Sequence, residues 1–332
     1  MDKDLVVSGQ NFDDILAIVS NARLRAAQAV NAKLINMYWE IGSYISQRVK
    51  NMGWGRSVVA DFSAFLQKHD PSCKGFSAQN IWRMKQFYET YCQNEKLSLL
   101  VREISWSNNL LIMVGCKNDQ AREFYIRLCI KYHYTKRELE RQINSMLYER
   151  SMLSQEKYKA VLAKNEGLTA LRDAYVFEFL DLPESYKEKD LRRQIVSNLK
   201  DFILEFGKDF AFVGEEYRLQ VGNTDFFIDL LFYNRVLSCL VAIELKIGIF
   251  KPEHLGQLNF YLEALDRDVK LPNENPSVGL IFCTSKDDAV VEYALSRSLS
   301  PAMVADYTLH LPKKEILANK LRELADLADE DK

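Results

Sequence analysis

Residues 226–246 read FFIDLLFYNRVLSCLVAIELK. The stretch reads as two apolar strands joined by a short turn, yet Asp229, Glu244 and Lys246 sit inside it. Successive strand side chains point to opposite faces, so Glu244 and Lys246, two apart, share one face. A hairpin folded about Val236–Leu237 would set Asp229 opposite Glu244. Two carboxylates and an ammonium would then converge at one spot on the sheet. An isolated buried carboxylate is expensive, and two side by side repel each other. A divalent cation resolves both problems. Mg2+ is suited by a couple of carboxylates plus water and substrate phosphate. Lys246 could then orient or deprotonate the attacking water, or stabilise charge at phosphorus. A buried structural ion pair is the competing reading, because Glu-x-Lys on its own is a common pattern.

The sequence around the hairpin predicts a mixed α/β domain. A helix over 188–206 leads to short strands at 210–213 and 217–221 and then to the hairpin. Pro252 opens a helix that runs through Leu265. SVGLIFC (277–283) reads as a buried strand, KDDAVVEYALSRS (286–298) as helix, MVADYTL (303–309) as strand and 312–328 as a last helix. The order α-β-β-β-α-β-α-β is not a regular βαβ repeat. Upstream, residues 151–167 lose their apolar rhythm and gain charge and glycine. The expected division is a helical domain over 1–155, a linker over 156–167 and the α/β domain over 168–332.

The first domain reads as all-helical. Helical periodicity covers 12–49, then 58–66, then the segment SAQNIWRMKQFYETY capped by Ser77. Further helices fit 109–115, 119–132 and 135–150, the last opened by Thr135 with Glu138 three residues on. All four tryptophans lie at or before position 106, which suggests an aromatic core. Residues 1–150 carry 21 Lys/Arg against 15 Asp/Glu, and residues 151–332 carry 23 against 31, so the front half is the one suited to a polyanion. Helix, tight turn and helix over 58–91 fit a helix-turn-helix-like reader. Ile81, Met84, Tyr88 and Tyr91 would form its inner stripe. Gln79, Asn80, Arg83 and Lys85 would be available to phosphates and base edges. A plain αα-hairpin inside a bundle explains the same pattern.

Composition excludes several classes. No apolar run reaches the roughly 18 residues of a membrane span. The acidic opening MDKDLVVSGQNFDD lacks a signal-peptide core. Six cysteines are scattered without a CxxC pair, which favours reduced buried thiols over zinc. A soluble cytoplasmic protein is the expectation.

The spacing of Asp229, Glu244 and Lys246, ID followed by IELK, resembles the signature of the PD-(D/E)XK nuclease superfamily. Gln257 and Tyr261 in GQLNFYLEAL resemble the Q-x-x-x-Y motif of its RecB-type members. The phrases FAFVGEEYRLQV, CLVAIELKIGIFKPEHLGQLNFYLEAL and NPSVGLIFCTSKDDAVVEYAL look like the YhcG-type nucleases. YWEIGSYI, WGRSVVADFSAFL, SWSNNLLIM and RELERQINSMLYERS resemble the helical domain found with them. The likeness covers nearly the whole chain. It implies a restriction-endonuclease-like fold behind the helical domain. It also implies Asp229 and Glu244 as metal ligands, Lys246 as the catalytic lysine, and Gln257 with Tyr261 as helpers. The superfamily often adds an acid on the first core helix. Glu205 is the candidate, with a surface or capping role as the alternative, while Arg192 stands where relatives carry an acid. Glu215–Glu216 replace an Arg-Gln pair of relatives.

The resulting expectation is a nuclease dependent on Mg2+ or Mn2+ that hydrolyses DNA, with the helical domain binding DNA or a partner protein. Cutting two strands with a one-strand site favours a homodimer or higher oligomer. The alternative is a non-catalytic module that keeps the nuclease fold as a clamp on nucleic acid or protein.

Overall fold

The computed structural model describes residues 10–53, 55–69, 75–157, 171–296 and 301–312. The chain divides into two compact units, Met1–Ile143 and Asn144–Lys332. The division precedes the 156–167 segment, most of which lies outside the described residues, as do the 312–328 helix beyond Pro312 and most of the 70–75 turn.

The first unit is helical: α1 (Gln10–Met52), α2 (Arg56–His69), α3 (Ala78–Tyr91), α4 (Glu95–Leu100), α5 (Trp106–Gly115), α6 (Asp119–Tyr132) and α7 (Lys136–Asn144). Short polar side chains start the helices by accepting otherwise orphaned backbone N–H groups. Ser77 accepts from Asn80, Asn94 from Leu97, Ser105 from Asn108 and Asn118 from Ala121. Thr135 and Glu138 form the reciprocal box that their spacing predicts, with Thr135 N–H on the Glu138 carboxylate at 2.8 Å and Glu138 N–H on Thr135 Oγ1 at 3.3 Å.

The inner stripe of α3 is Ile81, Met84, Phe87 and Tyr91. Phe87 takes the place expected for Tyr88, which is only half-buried: Trp39 of α1 meets both rings edge-on, and Phe87 alone also packs on Tyr91 and Trp106. Helices α1 and α3 approach closely at Gly42, where an added Cβ would overlap the Met84 carbonyl oxygen.

The helix expected over 135–150 is two helices, α7 and α8 (Leu147–Lys157), with Met146 between them at φ +55°. Arg150 explains the break. Its guanidinium takes the Ser145 carbonyl (2.8 Å) and hydroxyl (3.1 Å), so that carbonyl is drawn away from the helix ladder.

The second unit continues with β1 (Ala174–Val176), α9 (Glu188–Ser197), α10 (Leu199–Phe206), β2 (Phe210–Val221), β3 (Thr224–Asn234), β4 (Cys239–Leu245), α11 (Glu253–Ala264), β5 (Val278–Cys283), α12 (Asp288–Leu295) and β6 (Ala302–Thr308). The six strands are ordered β1-β6-β5-β4-β3-β2. β1, β6, β5 and β4 run parallel, and β4-β3-β2 antiparallel, so the sheet is mixed. Leu191, Ile195, Phe202 and Phe206 cover one face, against Val241, Ile243 and Phe282. Leu255, Leu258, Leu262 and Val291 cover the other, against Leu240, Ala242 and Ile281. The two short strands expected at 210–213 and 217–221 are one strand with an irregularity between Phe212 and Gly214. The helix expected over 188–206 breaks at Asn198, whose side-chain amide donates to the Gln194 carbonyl at 2.9 Å.

The hairpin turns as its sequence predicts. Asn234 Oδ1 accepts the N–H groups of Val236 (3.0 Å) and Leu237 (2.9 Å), and Asn234 pairs with Cys239 across the turn. The register runs on through Leu231–Ala242 and Leu230–Ile243. One further step sets Asp229 opposite Glu244.

Replacing Gly42 by Ala is expected to destabilise the helical unit by about 1–3 kcal/mol, the usual cost of overpacking against atoms that cannot withdraw. Urea or thermal unfolding of the full chain measures it. An unchanged midpoint would show that α1 and α3 separate without cost.

Candidate active site

The end of β4, its neighbour β3 and the start of α9 bring the charged residues together. Lys246 Nζ donates to Glu244 Oε1 at 2.7 Å and lies 3.9 Å from Glu188 Oε2. Asp229 Oδ1 accepts from Arg192 Nη1 at 2.6 Å, and Asp229 Oδ2 accepts the Leu245 N–H at 2.9 Å. That last bond ties the two strands together at the acidic pair. Glu244 is 3% exposed, and its Oε2 has no hydrogen-bond partner among the described residues.

Electrostatics follow from this packing. Burial, then the charge of Asp229, push the Glu244 carboxyl up to about 7, against the pull of Lys246. Against an ordinary 4.5, that shift is on the order of 3 kcal/mol. Burial works against the Lys246 charge, but Glu244, Glu188 and Asp229 outweigh it, and the lysine pKa lies above its usual value. On α11, Gln257 Nε2 donates to the Tyr261 hydroxyl at 2.7 Å. Burial raises the Tyr261 pKa, and the charges of Glu244 and Asp229 contribute, so the Gln257–Tyr261 pair belongs to the same electrostatic neighbourhood.

Glu205 does not join this group. It is fully buried, its carboxylate accepts Arg150 Nη1 (2.6 Å), Arg150 Nη2 (3.4 Å) and the Val176 N–H (3.0 Å), and Arg172 lies 3.8 Å away. The acid that α9 does present to the site is Glu188. It stands in the charge-rich run KEKD, where periodicity marks no residue above its neighbours. His254, at the start of α11, stands near the same charges. Burial and Lys246 hold its pKa below that of an ordinary histidine.

The four α3 residues part company. Gln79 and Arg83 are exposed. Asn80 is committed to the fold, donating to the Gly75 carbonyl at 2.6 Å and accepting from Trp106 Nε1 at 3.0 Å. Lys85 is paired with Glu89 at 2.6 Å.

No three His, Cys, Asp or Glu side chains gather as a ready-made metal cage among the described residues. The pair Asp229 and Glu244 still fits a cation that completes its shell with water and phosphate, because Glu244 Oε2 is buried with an unused lone pair.

A mixed sheet with helices on both faces, an Asp on one strand and Glu-x-Lys ending the next, is the architecture of a PD-(D/E)XK nuclease domain. Residues 168–322 match the family described as "YhcG PDDEXK nuclease domain", and residues 14–150 match "DUF1016 N-terminal domain". The chain is 32% identical to the Escherichia coli K12 protein named "Putative nuclease YhcG", over 94% of this chain and 93% of that one. The chain belongs to the YhcG family. Among solved structures, an EndoMS complex with double-stranded DNA aligns at 16% identity and TM-score 0.28, over 40% of this chain and 48% of the other. A repair endonuclease from Pyrococcus abyssi aligns at 16% identity and TM-score 0.27, over 40% and 50%. Among the described residues no helix is long and apolar enough to cross a membrane.

The raised Glu244 pKa has a pH signature. Between about 4.5 and 7 the folded chain holds a proton that the unfolded chain has lost, so this group's contribution to stability falls as pH rises through that window. Glu244→Gln removes the effect. In chelated buffer the stability of the variant relative to wild type should climb by up to about 3 kcal/mol from pH 4.5 to pH 8. Denaturant titrations at a series of pH values test this, and a flat difference would refute the buried-acid assignment.

Proposed function

We propose that this protein is a nuclease that hydrolyses phosphodiester bonds in DNA with a divalent cation, Mg2+ or Mn2+, held by Asp229 and Glu244. The observation that carries the reading is the unsatisfied Glu244 Oε2, buried beside Asp229 and Lys246. When bound, the cation supplies Lewis acidity and a water of lowered pKa. Glu244 and Asp229 bind and orient it. Lys246 has a raised pKa and therefore stays an ammonium, suited to stabilising charge on the phosphate rather than to accepting a proton. Gln257 fixes the Tyr261 hydroxyl, and that phenol stays protonated, so the pair offers donors to a substrate oxygen. The positive helical unit supplies affinity for the polyanion, with exposed Arg83 and Gln79 as its α3 contacts.

A second reading, a non-hydrolytic clamp, draws on Arg192, whose guanidinium already neutralises Asp229. One experiment separates the two. Linear, branched, single- and double-stranded DNA is incubated with Mg2+ or Mn2+ and with wild type, Asp229→Asn and Lys246→Ala, while Mn2+ binding is followed by calorimetry. Asp229→Asn should lose Mn2+ binding. Lys246→Ala should cut about 10²–10³-fold more slowly with DNA affinity within a few-fold, the pattern of an interaction made mainly in the transition state. Binding without cleavage by wild type on every substrate would establish the clamp.

Arg83→Ala should weaken DNA binding and lower the salt dependence by about one phosphate contact. Equal affinity and equal salt slope in the folded variant would make the α3 surface irrelevant to DNA.

A further inference from the structure

The charge row across the sheet extends past Asp229. The pairs Glu215–Leu230 and Tyr217–Ile228 flank Glu216, which therefore falls opposite Asp229 on the outer strand. Its backbone is left-handed, with φ +44°, a conformation that costs a non-glycine residue energy and re-aims its side chain. Arg192 joins the two acids. Nη1 donates to Asp229 Oδ1 at 2.6 Å and Nη2 to Glu216 Oε1 at 2.5 Å. The Arg192 side chain is 11% exposed, while Glu216 is 60% exposed. The Leu245 N–H occupies the other Asp229 oxygen. Both Asp229 oxygens are thus engaged, whereas one Glu244 oxygen has no hydrogen-bond partner among the described residues.

We infer that Arg192 is a latch on Asp229, and that Glu216 is the post that holds the latch when Asp229 turns to a cation. The inference rests on the Asp229–Glu244 cation site proposed above. A guanidinium and a divalent cation compete for Asp229 Oδ1, so apparent cation affinity is reduced by the fraction of molecules in which the latch is closed. Opening would leave a mostly buried guanidinium unpaired unless a second carboxylate kept hold of it, and an unpaired buried charge is costly. Glu216 meets that need from the solvent side. It sits on a different strand from both candidate ligands, so it can retain Arg192 without following Asp229. The arrangement makes Glu216 a positioning residue whose influence on the cation runs through Arg192. A third ligand would act on the cation directly.

Mn2+ affinity of the full chain, measured by calorimetry and by the electron paramagnetic resonance of free Mn2+, tests this with Arg192→Gln, Glu216→Gln and the double variant. Arg192→Gln should bind Mn2+ about tenfold more tightly, as for a latch closed about nine-tenths of the time. Glu216→Gln alone should bind several-fold more weakly, and in the Arg192→Gln background it should change nothing. A double-mutant cycle separates this from simple field effects, which would add in both backgrounds. Additive behaviour, or Arg192→Gln no tighter than wild type, overturns the latch. Glu216 is exposed, so its variant reports even where Arg192→Gln does not fold, and undiminished Mn2+ affinity in Glu216→Gln also overturns the latch. Absence of Mn2+ binding in wild type and all variants instead overturns the cation site itself.

Discussion

The register of one hairpin governs this site. Asn234 caps a turn over 235–238, and the pairing that begins at Asn234–Cys239 runs to Leu230–Ile243, after which the Leu245 N–H bonds Asp229 and brings it beside Glu244. A slip of one residue in either strand would turn its acid to the other face, away from the other acid, and bring an apolar side chain in its place. Glu244 is buried and Asp229 only partly exposed, so Glu244 cannot escape its neighbour by reaching bulk water. The repulsion between them is built into the fold, and every charged group nearby answers it. Lys246 holds one oxygen of Glu244, Arg192 and the Leu245 N–H hold Asp229, and the last oxygen of Glu244 is left over.

Comparison with Glu205 in the same unit shows what that remainder means. Glu205 is more deeply buried than Glu244, and its environment is complete: Arg150 contributes two donors and Val176 a third, with Arg172 near at hand. Such a carboxylate fixes local structure, here the break between α7 and α8 and the seat of β1. Its lone pairs are used, and it has nothing to offer a ligand. Glu244 bears the same desolvation with fewer compensations, and the imbalance appears as a carboxyl pushed up to about 7. Burial alone does not mark a reactive acid. Burial with an unmet lone pair beside a like charge is what would suit an acid to a cation.

The sequence was most legible where one local rule decides. Short polar caps placed the starts of α3 and α7, and strand alternation with the turn at Val236–Leu237 placed Asp229, Glu244 and Lys246. It was least legible where tertiary contacts override periodicity. β1 is only three residues long and exists because it pairs with β6. α4 is six residues long, too short for its periodicity to stand out although Asn94 caps it. Glu205 was drawn into the candidate site because it lies on the first core helix, and the break at Asn198 that divides this helix was not visible in its pattern. Glu216 was noticed only as a departure from relatives. Its partnership with Arg192 depends on β2 being one continuous strand beside β3, which a reading of two short strands obscures.

The α3 segment shows the same competition between fold and function. A helix that buries Ile81, Met84, Phe87 and Tyr91, and lies against α1 closely enough to require Gly42, has little freedom in how it presents its other side. Asn80 and Lys85 look from sequence like groups available to bases and phosphates. The fold has already engaged both, Asn80 as a bracket between Gly75 and Trp106, and Lys85 as the partner of Glu89, which also accepts from Ser46 at 2.7 Å. Lys85 keeps further ammonium hydrogens and Asn80 a second amide hydrogen, but both side chains are held in place by these bonds, so neither is free to reorient toward a ligand. Arg83 and Gln79 are exposed on the face opposite the core stripe. On the reading proposed above, Arg83 and Gln79 would be the α3 groups open to a polyanion, and charge would count for more than base-edge pattern. Such a surface would suit holding a polyanion in place better than choosing a sequence.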